Sequence, residues 1–269
     1  KPDATTTVID YVEIGSLGNA IDFGDLTQSR TRSAGVGNSL RGMCGGGALE
    51  PNIYDIIDFV TITTRANATD FGDLLTATTL LTSASNGHGG LEEFLPRAPE
   101  LYSPTGKVFP IPNAVVGEGD FGLFNRGSAL EYFNISTLGN TVNFRSGTAD
   151  LTGGAAASNT RAVFNQANNT LEYVEFSTKG NTADFGDTTV SRSSQGGTSN
   201  ATRGMFFGGE SPSASDVIDY ITIATISNAS DFGNLTVARG NTAALCNTSR
   251  AVCFGGYASP AYSDVMDYI

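Results

Sequence analysis

Arg203–Gly209 (RGMFFGG), Val217–Ile223 (VIDYITI) and Asn228–Thr236 (NASDFGNLT) form the stretch whose reading decides the fold. In VIDYITI, apolar β-branched residues alternate with polar ones at the period of a half-buried strand. RGMFFGG is a short apolar run closed by a glycine pair, which is how a strand running into a tight turn reads. With the preceding segment, four strands are predicted here: a at Ser191–Asn200, b at Arg203–Gly209, c at Asp216–Ile223 and d around Asp231–Thr236. No stretch longer than a turn has helical periodicity.

The same wording recurs. Ile9-Asp10-Tyr11 is followed by Asn19, by Asp22-Phe23-Gly24-Asp25-Leu26-Thr27, then by Arg30, Asn38, Arg41 and Gly45-Gly46-Gly47. The acidic-aromatic pair of strand c marks each copy: Asp10-Tyr11, Asp58-Phe59, Glu131-Tyr132, Glu172-Tyr173, Asp219-Tyr220 and Asp267-Tyr268, spaced 48, 73, 41, 47 and 48 residues apart. A unit of this size cannot bury its apolar face alone and must stack on its neighbours. Four short strands every 40–50 residues predict an all-β propeller, with five blades of four antiparallel strands in residues 1–269. Strands a, b and d each occur five times, but c occurs six times. A five-bladed ring closes if the N-terminal c and d complete the blade begun by the last a and b. One c is then surplus, either displaced or part of a longer chain with six or more blades.

Composition agrees and excludes some partners. The 269 residues suffice for one sizeable core, and the Gly, Thr, Ser and Asn content suits short strands joined by turns. With 15 Lys and Arg against 27 Asp and Glu, a net charge of −12 opposes nucleic acid and leaves cations or neutral partners such as glycans. No apolar run reaches 18 residues, so no membrane insertion is expected. The opening Lys-Pro-Asp-Ala-Thr-Thr does not read as a signal peptide, and the abrupt ends resemble a segment of a longer chain. Cys44 and Cys253 share a repeat position with Phe164 and Phe206, as apolar core filler would. Cys246 lies on the neighbouring strand, and a bridge to Cys253 is conceivable but unsupported by the spacing.

The second period breaks the pattern. Asn86 matches Asn38, yet strand b resumes only at Phe121-Gly122-Leu123-Phe124-Asn125, so residues 88–119 are an insertion in one a–b hairpin. It holds five of the nine prolines, the only histidine (His88), Glu92, Glu93, Phe94, Tyr102 and Phe109. Long loops on rigid scaffolds are where binding sites concentrate. Glu92, Glu93, Tyr102 and Phe109 are therefore the candidate ligand-binding residues.

Other conspicuous motifs read as structural. Asp22-x-x-Asp25, Asp70-x-x-Asp73 and Asp184-x-x-Asp187 offer two carboxylates around an apolar Phe, whereas Ca²⁺ needs six to eight oxygens; turn hydrogen bonding is the expectation, and no metal or cofactor. Arg41, Arg161, Arg203 and Arg250 begin strand b and are expected to pair with acids between blades. A single His leaves no catalytic triad, and Gly45-Gly46-Gly47 lacks the helix and Lys of a phosphate loop. No catalytic residue is assigned. A hydrolase would have to draw on insertion carboxylates such as Glu92, Glu93, Glu118 or Asp120.

The order Gly208-Gly209, Tyr220, Phe232, Arg239, and Gly45-Gly46, Phe59, Phe71, resembles the kelch repeat. Phe stands where kelch repeats usually carry Trp, and the Gly pair is lost at Asn165-Gln166. More narrowly, IDYITI, NASDFGNLT and RGMFFGG are similar to kelch-like repeats in tail-fibre and other virion proteins of marine bacteriophages (cyanophages). The resemblance covers nearly the whole chain outside residues 88–119. It implies a non-enzymatic structural or host-recognition module, virion-borne or extracellular, whose partners are other virion proteins, copies of itself or a cell-surface glycan. A glycan-binding propeller unrelated to virions and a polysaccharide hydrolase are the alternatives.

Overall fold

The computed structural model describes residues 6–16, 18–87, 121–127, 129–146, 153–178, 180–210 and 212–269, and these contain strands and no helix. β1 (Val8–Tyr11) and β2 (Ile21–Asp25) pair as a two-stranded sheet. Blade one comprises β3 (Ala34–Gly37), β4 (Arg41–Gly45), β7 (Ile56–Thr61) and β8 (Thr69–Asp73), with a small hairpin of β5 (Ala48–Leu49) and β6 (Asn52–Ile53) between β4 and β7. Blade two is β9 (Thr82–Ser85), β10 (Phe121–Arg126), β11 (Ala129–Asn134) and β12 (Val142–Ser146). Blade three is β13 (Ala155–Ala157), β14 (Arg161–Asn165), β15 (Thr170–Glu175) and β16 (Ala183–Asp187), and blade four is β17 (Gly196–Ser199), β18 (Arg203–Phe207), β19 (Val217–Thr222) and β20 (Ser230–Asn234). Blade five has β21 (Ala243–Cys246), β22 (Ala251–Phe254) and β25 (Met266–Tyr268), with the hairpin β23 (Tyr257–Ala258) and β24 (Ala261–Tyr262) before β25. The chain is a five-bladed β-propeller of antiparallel meanders; four blades have four strands and the fifth has three.

The first strand of each blade faces the axis, where space is least. Those strands are built from small residues, Gly35 and Gly37, Ala84 and Ser85, Ala155–Ala157, Gly196 and Gly197, Ala243 and Ala244. A Cβ on Gly197 would collide with the backbone of Ala155 in the neighbouring blade. β17 is shorter than the predicted strand a: Arg192 and Gln195 are buried in the crossing between blades rather than laddered into a sheet.

Strand b alternates its side chains between the two neighbouring blades. Phe124, Phe164, Phe206 and Cys253 point to the preceding blade, each fully buried in the cluster at that junction. Leu123, Val163 and Met205 point to the following blade. Burying each such Phe contributes roughly 2–3 kcal/mol.

Every c–d pair repeats one device. A β-bulge falls between the apolar residue and the acid, at Ile9/Asp10, Ile57/Asp58, Leu130/Glu131, Leu171/Glu172 and Ile218/Asp219. The extra residue is the Phe of strand d, left without a ladder partner between the two pairings. The aromatic after the acid meets this Phe edge to face, at 6.0–6.1 Å between centroids for Tyr11–Phe23, Phe59–Phe71, Tyr132–Phe144, Tyr173–Phe185 and Tyr220–Phe232.

Two expectations are corrected. The acids of Asp-Phe-Gly-Asp do not sit in a turn: the motif lies on strand d at β2, β8 and β16, as the strand predicted around Asp231–Thr236 does at β20. Its glycine has a positive φ, +137° at Gly186, and a Cβ there would lie 2.6 Å from the Ser227 carbonyl oxygen of blade four. The motif is where one blade's outer strand touches the next blade's turn. The closure also differs: β25 pairs with β22 as Val252↔Tyr268, Cys253↔Asp267 and Phe254↔Met266, so the last blade takes its own strand c. β1 pairs with β2 instead of completing that blade. The β22 edge is taken by the strand nearest to it in sequence.

Candidate ligand-binding face

The a–b and c–d connections of a four-stranded meander share one end, so these turns build one face of the propeller. Each a–b turn is closed by a polar side chain at its first position. Asn38 Oδ1 accepts from the amides of Leu40 and Arg41, Asn200 Oδ1 from Thr202 and Arg203, and Asn247 Oδ1 from Ser249 and Arg250, at 2.8–3.0 Å. Ser158 Oγ plays the part in blade three. Such Asx and ST turns form because a short side chain imitates a backbone carbonyl.

Blade two keeps the closure although its connection is far longer. Asn86 Oδ1 accepts from Phe121 N at 2.8 Å, and Asn86 N donates to Phe121 O at 3.1 Å. The predicted ligand residues Glu92, Glu93, Tyr102 and Phe109, together with His88, Glu118 and Asp120, lie outside the described residues. What the structure supplies is their point of departure and return, two hydrogen bonds apart on this face.

The arginines that open strand b do not form the expected inter-blade Asp pairs. Each instead covers the aromatic of strand c in its own blade: Arg41 over Phe59, Arg161 over Tyr173, Arg203 over Tyr220 and Arg250 over Tyr268, at 4.4–5.0 Å from the ring centre. Arg41 then donates to Ile135 O, Arg161 to Ile223 O and Arg250 to Ile14 O, each on the next blade or the β1–β2 sheet. Arg161 also pairs with Glu175 of its own blade at 2.7 Å. The Arg203 guanidinium, exposed, has no hydrogen bond among the described residues.

The inter-blade ion pairs belong to other arginines, those in the crossing after strand d. Arg30 meets Asp58 at 2.9 Å, Arg192 meets Asp219 at 2.8 Å and Arg239 meets Asp267 at 2.9 Å. Thr27, Thr189 and Thr236 donate their hydroxyls to the same three carboxylates at 2.5–2.6 Å. Burial pushes the Arg192 guanidinium below its ordinary pKa, and the Asp219 charge opposes the shift. Arg30 and Arg239 recur in the repeat, and that recurrence was the available signal; which acid each one meets depends on the offset between blades.

An axial cavity of about 200 Å³ opens among the inner strands, lined by small residues with Ser85, Thr198, Ser199 and Cys246 as its polar members. Cys246 is the one titratable group on its wall, and burial raises that thiol's pKa, as it does for Cys253. A neutral thiol among hydroxyls gives the channel no acid–base pair. All three cysteines are free thiols. Among the described residues no group of three His, Cys, Asp or Glu converges as metal ligands would.

Among solved structures, one described as "Structure of YjhT" superposes over 100% of this chain and 95% of its own, with a TM-score of 0.62 and 10% sequence identity. The likeness is one of fold, a β-propeller in both. No family model matches the chain, and no curated protein matches it in sequence.

Proposed function

We propose that this chain is a non-enzymatic recognition module, a kelch-like propeller of a phage particle that presents one face to the host. The observation that carries the reading is the locked turn in blade two. Asn86 and Phe121 hold the a–b closure on either side of residues 88–119, so the turn that carries the insertion is built as in the other blades. The mounted sequence suits a neutral or weakly polar ligand. Tyr102 and Phe109 provide aromatic faces on which sugar rings stack, and Glu92 and Glu93 provide acceptors for sugar hydroxyls. The phage-type wording of the repeat supports a virion setting, with other virion proteins or further copies of the chain as structural partners and a cell-surface glycan as target.

A glycan array tests it, with the whole chain compared against a variant in which residues 88–119 are replaced by a short Gly-Ser turn. Binding that is present in the first and lost in the second, and reduced by Tyr102→Ala, is the expected result. Binding that survives the replacement assigns recognition to the blades and refutes the insertion. Polysaccharide cleavage abolished by Glu92→Gln or Glu93→Gln refutes the non-enzymatic reading.

A further inference from the structure

We infer that the ring has a sixth blade position, that β1 and β2 are its outer strands, and that its vacant places take a strand d, a strand a and a strand b of this same repeat. Between complete neighbours, the residues after strand d reach the strand-c acid of the next blade, as Thr189 and Arg192 reach Asp219. Thr27 and Arg30 follow β2 and reach Asp58 of blade one in the same way. β2 therefore stands to blade one as β16 stands to blade four. On its other side, Arg250 of blade five donates to Ile14 O just as Arg41 of blade one donates to Ile135 O of blade two. Ile14 and Ile135 each lie four residues beyond their strand-c acid, Asp10 and Glu131. The β1–β2 sheet thus occupies the outer half of a blade between the fifth and the first.

The inner half is a slot. A cavity of about 610 Å³, three times the axial one, lies between blades five and one, with Val8, Val36, Cys44, Ala244 and Phe254 on its walls. Cys44 occupies the strand-b position that faces the preceding blade. Its counterparts Phe124, Phe164, Phe206 and Cys253 are fully buried, whereas Cys44 is half-exposed. Phe254, facing the following position, is half-exposed where its counterpart Phe207 is buried.

Polar groups await the same segment. Asp10 is exposed and its carboxylate makes no hydrogen bond or ion pair among the described residues, while Asp58, Asp219 and Asp267 each hold a Thr hydroxyl and an Arg. Gly233 on strand d of blade four has nothing within 4 Å of a would-be Cβ, while the same position at Gly186 abuts the next blade's c–d turn. Arg203 lacks the carbonyl that Arg41, Arg161 and Arg250 each find on the next blade's c–d turn. One segment of the repeat's own chemistry satisfies all of these. A strand d lies on the free edge of β25; its trailing Thr and Arg take Asp10; strands a and b fill the slot and end against the free edge of β1. The length required is about 36 residues, one 48-residue period less those already flanking the gap. The occupant is a further period of the repeat, because in blades one to four strand c runs through a short turn into strand d, and the chain then enters the next blade as its strand a.

The test appends a copy of Thr222–Gly256 directly after Ile269. Alkylation of Cys44 by iodoacetamide, followed by peptide mass spectrometry, should slow about tenfold or more when the slot fills. The thermal midpoint should rise by at least about 5 °C. Asp10→Asn should lower that midpoint in the extended protein and leave the unextended one unchanged. Unaltered Cys44 reactivity with an unaltered midpoint overturns the proposal. So does sedimentation of the unextended chain as a dimer in which Cys44 is already protected, because a second copy then fills the slot. If the extended protein does not fold, the same segment is added as a free peptide: concentration-dependent protection of Cys44 supports the sixth position, and none up to millimolar peptide refutes it.

Discussion

The junction between blades three and four and the opening between blades five and one are built from the same repeat, and they differ position by position. At the first, Phe206 is fully buried between sheets, Asp219 holds Thr189 and Arg192, and Gly186 presses against the Ser227 carbonyl. At the second, Cys44 is half-exposed, and Asp10 is exposed and holds nothing among the described residues. The strand-b position carries Phe in three blades and Cys in two: Cys253 is fully buried where blade four packs on it, and Cys44 is half-exposed where no inner strands do. A motif residue in this fold is therefore worth what the next period brings to it. Local sequence makes the strand, but the neighbour makes the energy, as expected for a one-dimensional array of repeats.

Substitutions at paired positions sharpen the contrast. Asp219→Ala should cost roughly 3–5 kcal/mol in urea unfolding, because it strands the buried Arg192 guanidinium without a counter-charge. Asp10→Ala should leave the same midpoint in place, and an equal loss at both sites would erase the distinction. Phe206→Ala should cost about 3–5 kcal/mol through the cavity it opens, well above Cys44→Ala, where solvent already reaches the side chain. Gly186→Ala combines backbone strain with a clash and should exceed the strain alone, about 1–3 kcal/mol, that Gly233→Ala incurs at φ +147° in open space. Near-equal costs would place the two glycines in the same surroundings.

The thiols give a smaller effect with a defined sign. Burial raises the pKa of Cys246 and Cys253, so the unfolded chain releases these protons first. Their contribution is present below the ordinary thiol value, about 8.5, and is lost as pH rises from there through the raised pKa of the folded thiols. Stability should decline above that range, less so in a Cys246→Ser, Cys253→Ser double variant. At pH 8 a thiol reagent should label Cys44 well before the other two. Smallest is Arg203→Gln, which removes a solvent-exposed cation from the face of Tyr220 and should cost about 0.5–1 kcal/mol.

What could be read from sequence was whatever is local to one period. The strand-c alternation, the strand-d Phe that meets it and the turn from Asn200 to Arg203 all lie within a few residues or one hairpin. Contacts between periods were harder. Arg41 and Arg30 both recur once per blade, and only the offset between neighbouring sheets decides that Arg30 takes the acid while Arg41 takes a ring and a carbonyl. Asp-Phe-Gly-Asp has the composition of a turn, and a positive φ inside a strand becomes intelligible only beside the carbonyl it accommodates. The surplus strand c was visible as a count, but its pairing depended on which strand takes the β22 edge. The insertion matches no other period, so nothing inside the chain could be aligned with it.

The Asn86–Phe121 closure has an evolutionary consequence. Both of its hydrogen bonds are made by residues that flank the insertion, so this closure itself asks nothing of the sequence between them. Exchanging that stretch for one of different length costs mainly loop-closure entropy, about 0.6 kcal/mol for each doubling. Blade two is a socket, and selection can change the plug without renegotiating the wheel that carries it.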